Sequence, residues 1–105
     1  MVYDETLAAR IRKVVYTFQS VDEKKMFGGI AFLLNGKMFV GVTKNDLLVR
    51  VGPDRNDEAL KRPHARPMDF TGKPMKGFIY VAPAGVKSDK MLADWIMMAK
   101  EFVLK

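Results

Sequence analysis

The sequence predicts a two-layer α+β domain in which an antiparallel five-stranded sheet is covered by helices, in the element order α-β-β-β-α-β-β-α. Three observations predict it. Apolar residues recur at three and four in the first and last segments, as on one face of a helix. Apolar runs of strand length fill the middle, and Asn35-Gly36 separates two of them as a hairpin turn. With 105 residues, 49% hydrophobic and 29% charged, the chain reads as one domain, residues 1–105, able to bury roughly 65% of its unfolded surface.

Tyr3, Leu7, Ile11, Val14, Val15 and Phe18 share one helical face, with Arg10, Arg12, Lys13 and Thr17 between them. Asp4 is the expected N-cap, so the helix should run from about residue 4 to 19 and stop near Ser20-Val21-Asp22. Strands follow at about 25–34 and 37–43. The turn between them suits type I′, which needs positive φ at both central residues. That turn sets Phe32 opposite Phe39 and Ala31 opposite Val40. One face then holds Ile30, Phe32, Leu34 and Phe39, the other Phe27, Leu33, Met38, Val40 and Val42. A strand pair apolar on both faces wants cover on two sides.

Thr43-Lys44-Asn45-Asp46 turns the chain into Leu47–Val51, completing a three-stranded meander. Leu47, Val49 and Val51 fall on the covered face, Leu48 and Arg50 on the outer one. Gly52-Pro53 ends this strand, and residues 53–60 form a short helix with proline and acids in its first turn. The prolines at 63 and 67 forbid helix, so Met68-Asp69-Phe70 reads as a short strand, Thr71–Pro74 as a turn and Met75–Ala82 as the last strand. After a Pro83-Ala84-Gly85 loop, Ser88 caps a closing helix. Its inner face carries Leu92, Trp95, Ile96, Ala99, Phe102 and Val103, with Asp89, Asp94 and Lys100 outward.

Two long helices cover one face of such a sheet, so a second copy of the chain is expected on the other, giving a homodimer. Phe27, Gly28, Gly29, Leu48 and Arg50 are its candidate contacts. A guanidinium desolvated there would need a carboxylate partner. The rival arrangement has the two helices straddling the sheet.

The net charge of +6 is concentrated: residues 59–87 hold six cations against Asp69 alone. Lys61, Arg62, His64, Arg66, Lys73 and Lys76 are therefore candidates for contact with a nucleic acid or an acidic partner, the plainer reading being a solvated loop. Lys76-Gly77-Phe78-Ile79-Tyr80-Val81 is similar to the opening of an RNA-recognition octamer. Ile79 replaces its small fourth residue and Pro83 its final aromatic, so Phe78 and Tyr80 read better as core or interface.

Other chemistry finds little support. Without cysteine, disulfides, thiolate catalysis and Cys-based zinc sites are excluded. His64 is the sole histidine, and Asp54, Asp57, Glu58 and Asp69 lack ligand spacing. Ser20 and Ser88 read as helix-boundary residues, and the adjacent acids Asp22-Glu23 and Asp57-Glu58 diverge. Phe27-Gly28-Gly29 opens a strand where a phosphate-binding loop would open a helix, so Gly28, Gly29 and Gly41 mark close backbone approach. No catalytic residue, metal or cofactor is expected. No apolar run reaches the ~18 residues needed to cross a bilayer, and no basic stretch followed by a hydrophobic one opens the chain. A cytoplasmic protein without membrane contact is expected.

Lys25-Met26-Phe27-Gly28-Gly29, Asn35–Phe39, Leu47–Pro53 and Lys73-Pro74-Met75-Lys76-Gly77-Phe78-Ile79-Tyr80-Val81 together resemble the TfoX/Sxy amino-terminal domain family over nearly the whole chain. The resemblance implies a secretion-chaperone-like α/β fold and an association with bacterial regulators of natural competence, and it supplies no catalytic residues. Full-length regulators carry a further carboxy-terminal domain, so this chain reads as a stand-alone form. The expected function is a non-enzymatic interaction module that regulates transcription or competence through protein–protein contacts. The alternatives are a nucleic-acid binder using segment 61–76, and an enzyme or ligand-binding protein with an unrecognised pocket.

Overall fold

Asp4 caps the first helix as its side chain allows: one carboxylate oxygen accepts the backbone N–H groups of Thr6 at 2.9 Å and Leu7 at 3.1 Å. The computed structural model describes residues 3–18, 20–26, 29–68 and 75–104. Helix α1 covers Glu5–Val15, shorter than the apolar period predicts. The Thr17 hydroxyl donates to the Val14 carbonyl at 2.6 Å, ending the ladder, and Phe18 turns in to lie 6.4 Å from the Phe39 ring.

Six strands follow instead of five: β1 (Val21–Met26), β2 (Gly29–Leu34), β3 (Lys37–Thr43), β4 (Asp46–Arg50), β5 (Ala65–Met68) and β6 (Met75–Val81). All neighbours are antiparallel, in the order β1-β2-β3-β4-β6-β5. The extra strand is β1. Its Asp-Glu-Lys-Lys run carries no apolar alternation, because an edge strand bearing charges needs none and is protected by them from pairing further. At the other edge, β5 begins at Ala65 and admits Pro67, which an edge position tolerates. The expected strand at 68–70 and turn at 71–74 otherwise lie outside the described residues.

Asn35 and Gly36 take φ of 53° and 81°, as a type I′ turn requires. The register beyond the turn differs from the simple count. Leu33 faces Met38, but Phe32 faces Val40 and Ala31 faces Gly41, so Phe39 is an extra residue, a β-bulge. The bulge puts Phe39, Val40 and Val42 together in the main core with Ile30, Phe32 and Leu34. Val40 and Val42 therefore leave the outer face that simple alternation gives them, and the hairpin's second face is reduced to Ala31, Leu33, Met38 and Gly41.

A 3-10 turn at Pro53–Arg55 leads into the short helix α2 (Asn56–Leu60), and Ser88 accepts the Met91 N–H to start α3 (Asp89–Val103). Helices α1 and α3 touch one another and both lie over β3, so they occupy the same face. Leu7, Ile11 and Val15 of α1 join Leu92, Trp95, Ile96, Ala99 and Val103 of α3 in one core with the inward strand residues, and Ala59 of α2 joins them. The straddling arrangement is excluded by that shared core.

Strand β1 is fastened to this layer by a charged clamp. Arg12 donates to both carboxylate oxygens of Glu23, at 3.0 and 2.9 Å, and the Tyr16 hydroxyl donates to the same carboxylate. Donating to the Glu23 carboxylate holds the Arg12 guanidinium in its charged form and raises its pKa further. Glu23→Ala is expected to cost about 1 kcal/mol, read as a lower urea midpoint, with salt removing part of the difference.

Candidate functional site

Alternation along β4 and β6 places Leu48 beside Tyr80 and Arg50 beside Phe78 on the face away from the helices. Leu48 and Tyr80 form a second apolar cluster, separate from the main core, with Met38 and Phe78 packed against it. The row continues through Gly41, which pairs with Leu48, to Ala31 and Leu33. Charges frame it. Asp22 and Lys24 stand beside Leu33 and Ala31 on β1, and Arg66 of β5 stands beside Tyr80.

Guanidinium groups cover the two rings of this face. Arg66 lies over Tyr80 at 5.0 Å from the ring centre and also pairs with Asp46. Arg50 lies 5.5 Å from Phe78 and 5.3 Å from Phe102 of α3, and donates to the Met38 carbonyl at 3.4 Å. Half-buried Arg50 thus meets aromatic faces and a carbonyl within one chain; cation–π contact of this kind contributes about 0.5–2 kcal/mol.

The basic segment is divided by the fold. Arg62 leaves α2 to lie over Trp95 of α3 at 5.1 Å, on the helix side. Arg66, four residues later, lies on the opposite face of the sheet. Lys61 and His64 are exposed, and His64 adopts φ of 68° with its carbonyl accepting the Ala82 N–H at 2.9 Å. Lys76 is exposed near Arg50 at the end of the sheet, and Lys73 lies outside the described residues. Among the described residues the candidates do not converge on one surface.

Of the interface candidates, Leu48 and Arg50 are on the helix-free face. Gly29 is inside the sheet: a Cβ there would lie 1.9 Å from the Val42 carbonyl oxygen, so its missing side chain serves β2–β3 pairing. Phe27 and Gly28 lie outside the described residues. Sequence reasoning places Leu33 and Met38 on the hairpin's second face, but Gly41 joins them there only because of the bulge at Phe39. Among the described residues no group of three acidic or histidine side chains could hold a metal ion, and no helix is long and apolar enough to cross a membrane.

Compared with known families, residues 13–103 match the TfoX N-terminal domain. A search of curated proteins found no relative.

Proposed function

The chain belongs to the TfoX N-terminal domain family, and from that premise we propose that it is a non-enzymatic interaction module whose helix-free sheet face pairs with a second copy, serving the control of transcription or competence. The observation that carries the reading is the second apolar cluster, on the face away from the core shared by α1 and α3: Leu48 and Tyr80 are buried there within one chain, and half-buried Leu33, Met38 and Phe78 are the apolar surface left for a partner. A second copy suits it because the face is framed by both signs: Lys24, Arg50 and Arg66 with Asp22 and Asp46. A two-fold contact presents the same patch from each side and can set opposite charges against one another. A reducing cytoplasm suits a chain without cysteine.

Light scattering tests this across micromolar concentrations. Wild type is expected to approach twice the chain mass, and Leu33→Lys, which adds a cation to the face in both copies, is expected to remain at the chain mass. Arg50→Ala should weaken association. Met97→Lys, on the exposed side of α3, should leave it unchanged. A strict monomer at high micromolar concentration, or equal loss from Leu33→Lys and Met97→Lys, overturns the reading.

The nucleic-acid alternative has less support. Arg62 and Arg66 diverge, and Arg66 and Arg50 occupy positions over Tyr80 and Phe78 where bases would stack. A gel shift at ~50 mM salt is expected to show no complex; binding that weakens steeply with salt would transfer the function to a polyanion.

A further inference from the structure

Where Arg50 and Phe78 end the helix-free face, a cleft of about 310 Å³ opens at the end of β4 and β6, lined also by Gly52, Pro53, Lys76, Gly77 and Phe102. It has the size of small-molecule pockets, which begin at roughly 300 Å³. Two cations and two phenyl rings line it, and among the described residues no acidic side chain does. By contrast, the cleft beside Trp95 sets Asp94 near Arg62, and the one between α1 and α3 holds Asp89 ion-paired with Arg10.

We propose that this cleft binds a carboxylate carried on an apolar ring or chain. Recognition falls to side chains, because the backbone donors of Val51, Gly52 and Gly77 are already engaged. The Val51 and Gly52 N–H groups donate to the Gly77 carbonyl at 2.8 and 3.1 Å, and the Gly77 N–H donates to the Asn56 side-chain oxygen at 2.8 Å. Arg50 has donors to spare: it spends one on the Met38 carbonyl and makes no ion pair among the described residues. Its guanidinium, in contact with two rings, carries the planar fork that a carboxylate fits.

Exposed Lys76 adds a second positive charge to the lining, a point charge that favours anions without fixing their geometry. The apolar demand comes from Phe78, Phe102 and Pro53, which a bare inorganic anion would leave in water. Gly52 and Gly77 keep the cleft's shape. A Cβ on Gly77 would fall 3.0 Å from the Gly52 carbonyl carbon, and one on Gly52 would fall 2.3 Å from the Phe102 ring. Two sources could supply such a group: a free organic acid, or the carboxylate of a peptide with an aromatic neighbour.

The test is titration of isotope-labelled protein with 3-phenylpropionate, followed by backbone amide NMR. Saturable shifts are expected at Val51, Gly52, Gly77 and Phe78, and 3-phenylpropionamide should leave those amides in place. Arg50→Gln and Lys76→Gln should each weaken binding, the first by about tenfold or more. Lys76 is exposed, so its variant reports on the ligand even where Arg50→Gln disturbs the fold. A peptide ending in phenylalanine, with a free or an amidated terminus, distinguishes the sources: tighter binding of the free-terminus peptide than of the acid assigns the peptide, and the reverse assigns the small molecule. Repeating the titration in Leu33→Lys separates this site from self-association, since the cleft needs no second copy. Equal shifts from acid and amide, or unchanged binding in both glutamine variants, would overturn the proposal.

Discussion

Gly52→Ala is expected to lower stability by about 3 kcal/mol, a large share of the roughly 5–15 kcal/mol of a typical domain. Two costs combine. Gly52 has φ of 87° and ψ of 156°, a region essentially reserved for glycine, and holding another residue there costs about 1–3 kcal/mol. The new methyl would also meet the Phe102 ring at 2.3 Å, and relieving such overpacking costs about 1–3 kcal/mol. Gly36→Ala supplies the control: its φ is 81°, yet nothing lies within 4 Å of the place its methyl would take, so only the backbone cost of about 1 kcal/mol is expected. Urea unfolding of the two variants should give clearly different midpoints. Equal losses would show that the Phe102 contact yields without cost.

Phe32→Ala should destabilise by about 3–5 kcal/mol, the usual cost of removing a phenyl group from a core that cannot collapse around the space. Phe32 is fully buried and lies on the helix-covered face of β2. Its sequence neighbour Leu33 points the other way and is half-buried. Leu33→Lys is therefore expected to cost little in the isolated chain while changing its association. Thermal unfolding of both variants checks the contrast: a comparable melting temperature for the two would mean that the faces of β2 are misassigned.

Local chemistry explains which parts of the fold are legible in the residues. Asn35-Gly36 encodes its own turn, Asp4 and Ser88 carry the oxygens that cap α1 and α3, and the period of Leu92, Trp95, Ile96 and Ala99 marks a buried helix face. Leu47, Val49 and Val51 separate correctly from Leu48 and Arg50, because alternation in β4 is unbroken. Strand β1 is hidden because its pairing energy is in the backbone and its side chains are charged. The hairpin faces go astray at one residue: a bulge at Phe39 leaves no mark in composition, yet it moves Val40 and Val42 into the core.

The site is less legible than the fold because its contacts join distant segments. Arg50 stands out in the sequence as an outer-face cation, but its stacking on Phe102 depends on how α3 passes the end of β4, which pairwise periodicity does not encode. The basic segment looks continuous in sequence, and the chain's reversal between Arg62 and Arg66 sends their guanidiniums to opposite sides. Family membership, by contrast, is visible in Met-Phe-Gly-Gly and Pro-Met-Lys-Gly-Phe-Ile-Tyr-Val, motifs dominated by glycine and aromatic residues.

A spin label tests the helix-free face most directly as the meeting surface of two copies, and the absence of native cysteine allows a single thiol to be placed at Lys24→Cys. In a mixture of labelled unenriched chain and unlabelled isotope-enriched chain, the amides of Leu33, Met38 and Leu48 should broaden, while those of Met91 and Met97 on the outer side of α3 stay sharp. Broadening centred on α3, or none at concentrations in the high micromolar range, would contradict the account.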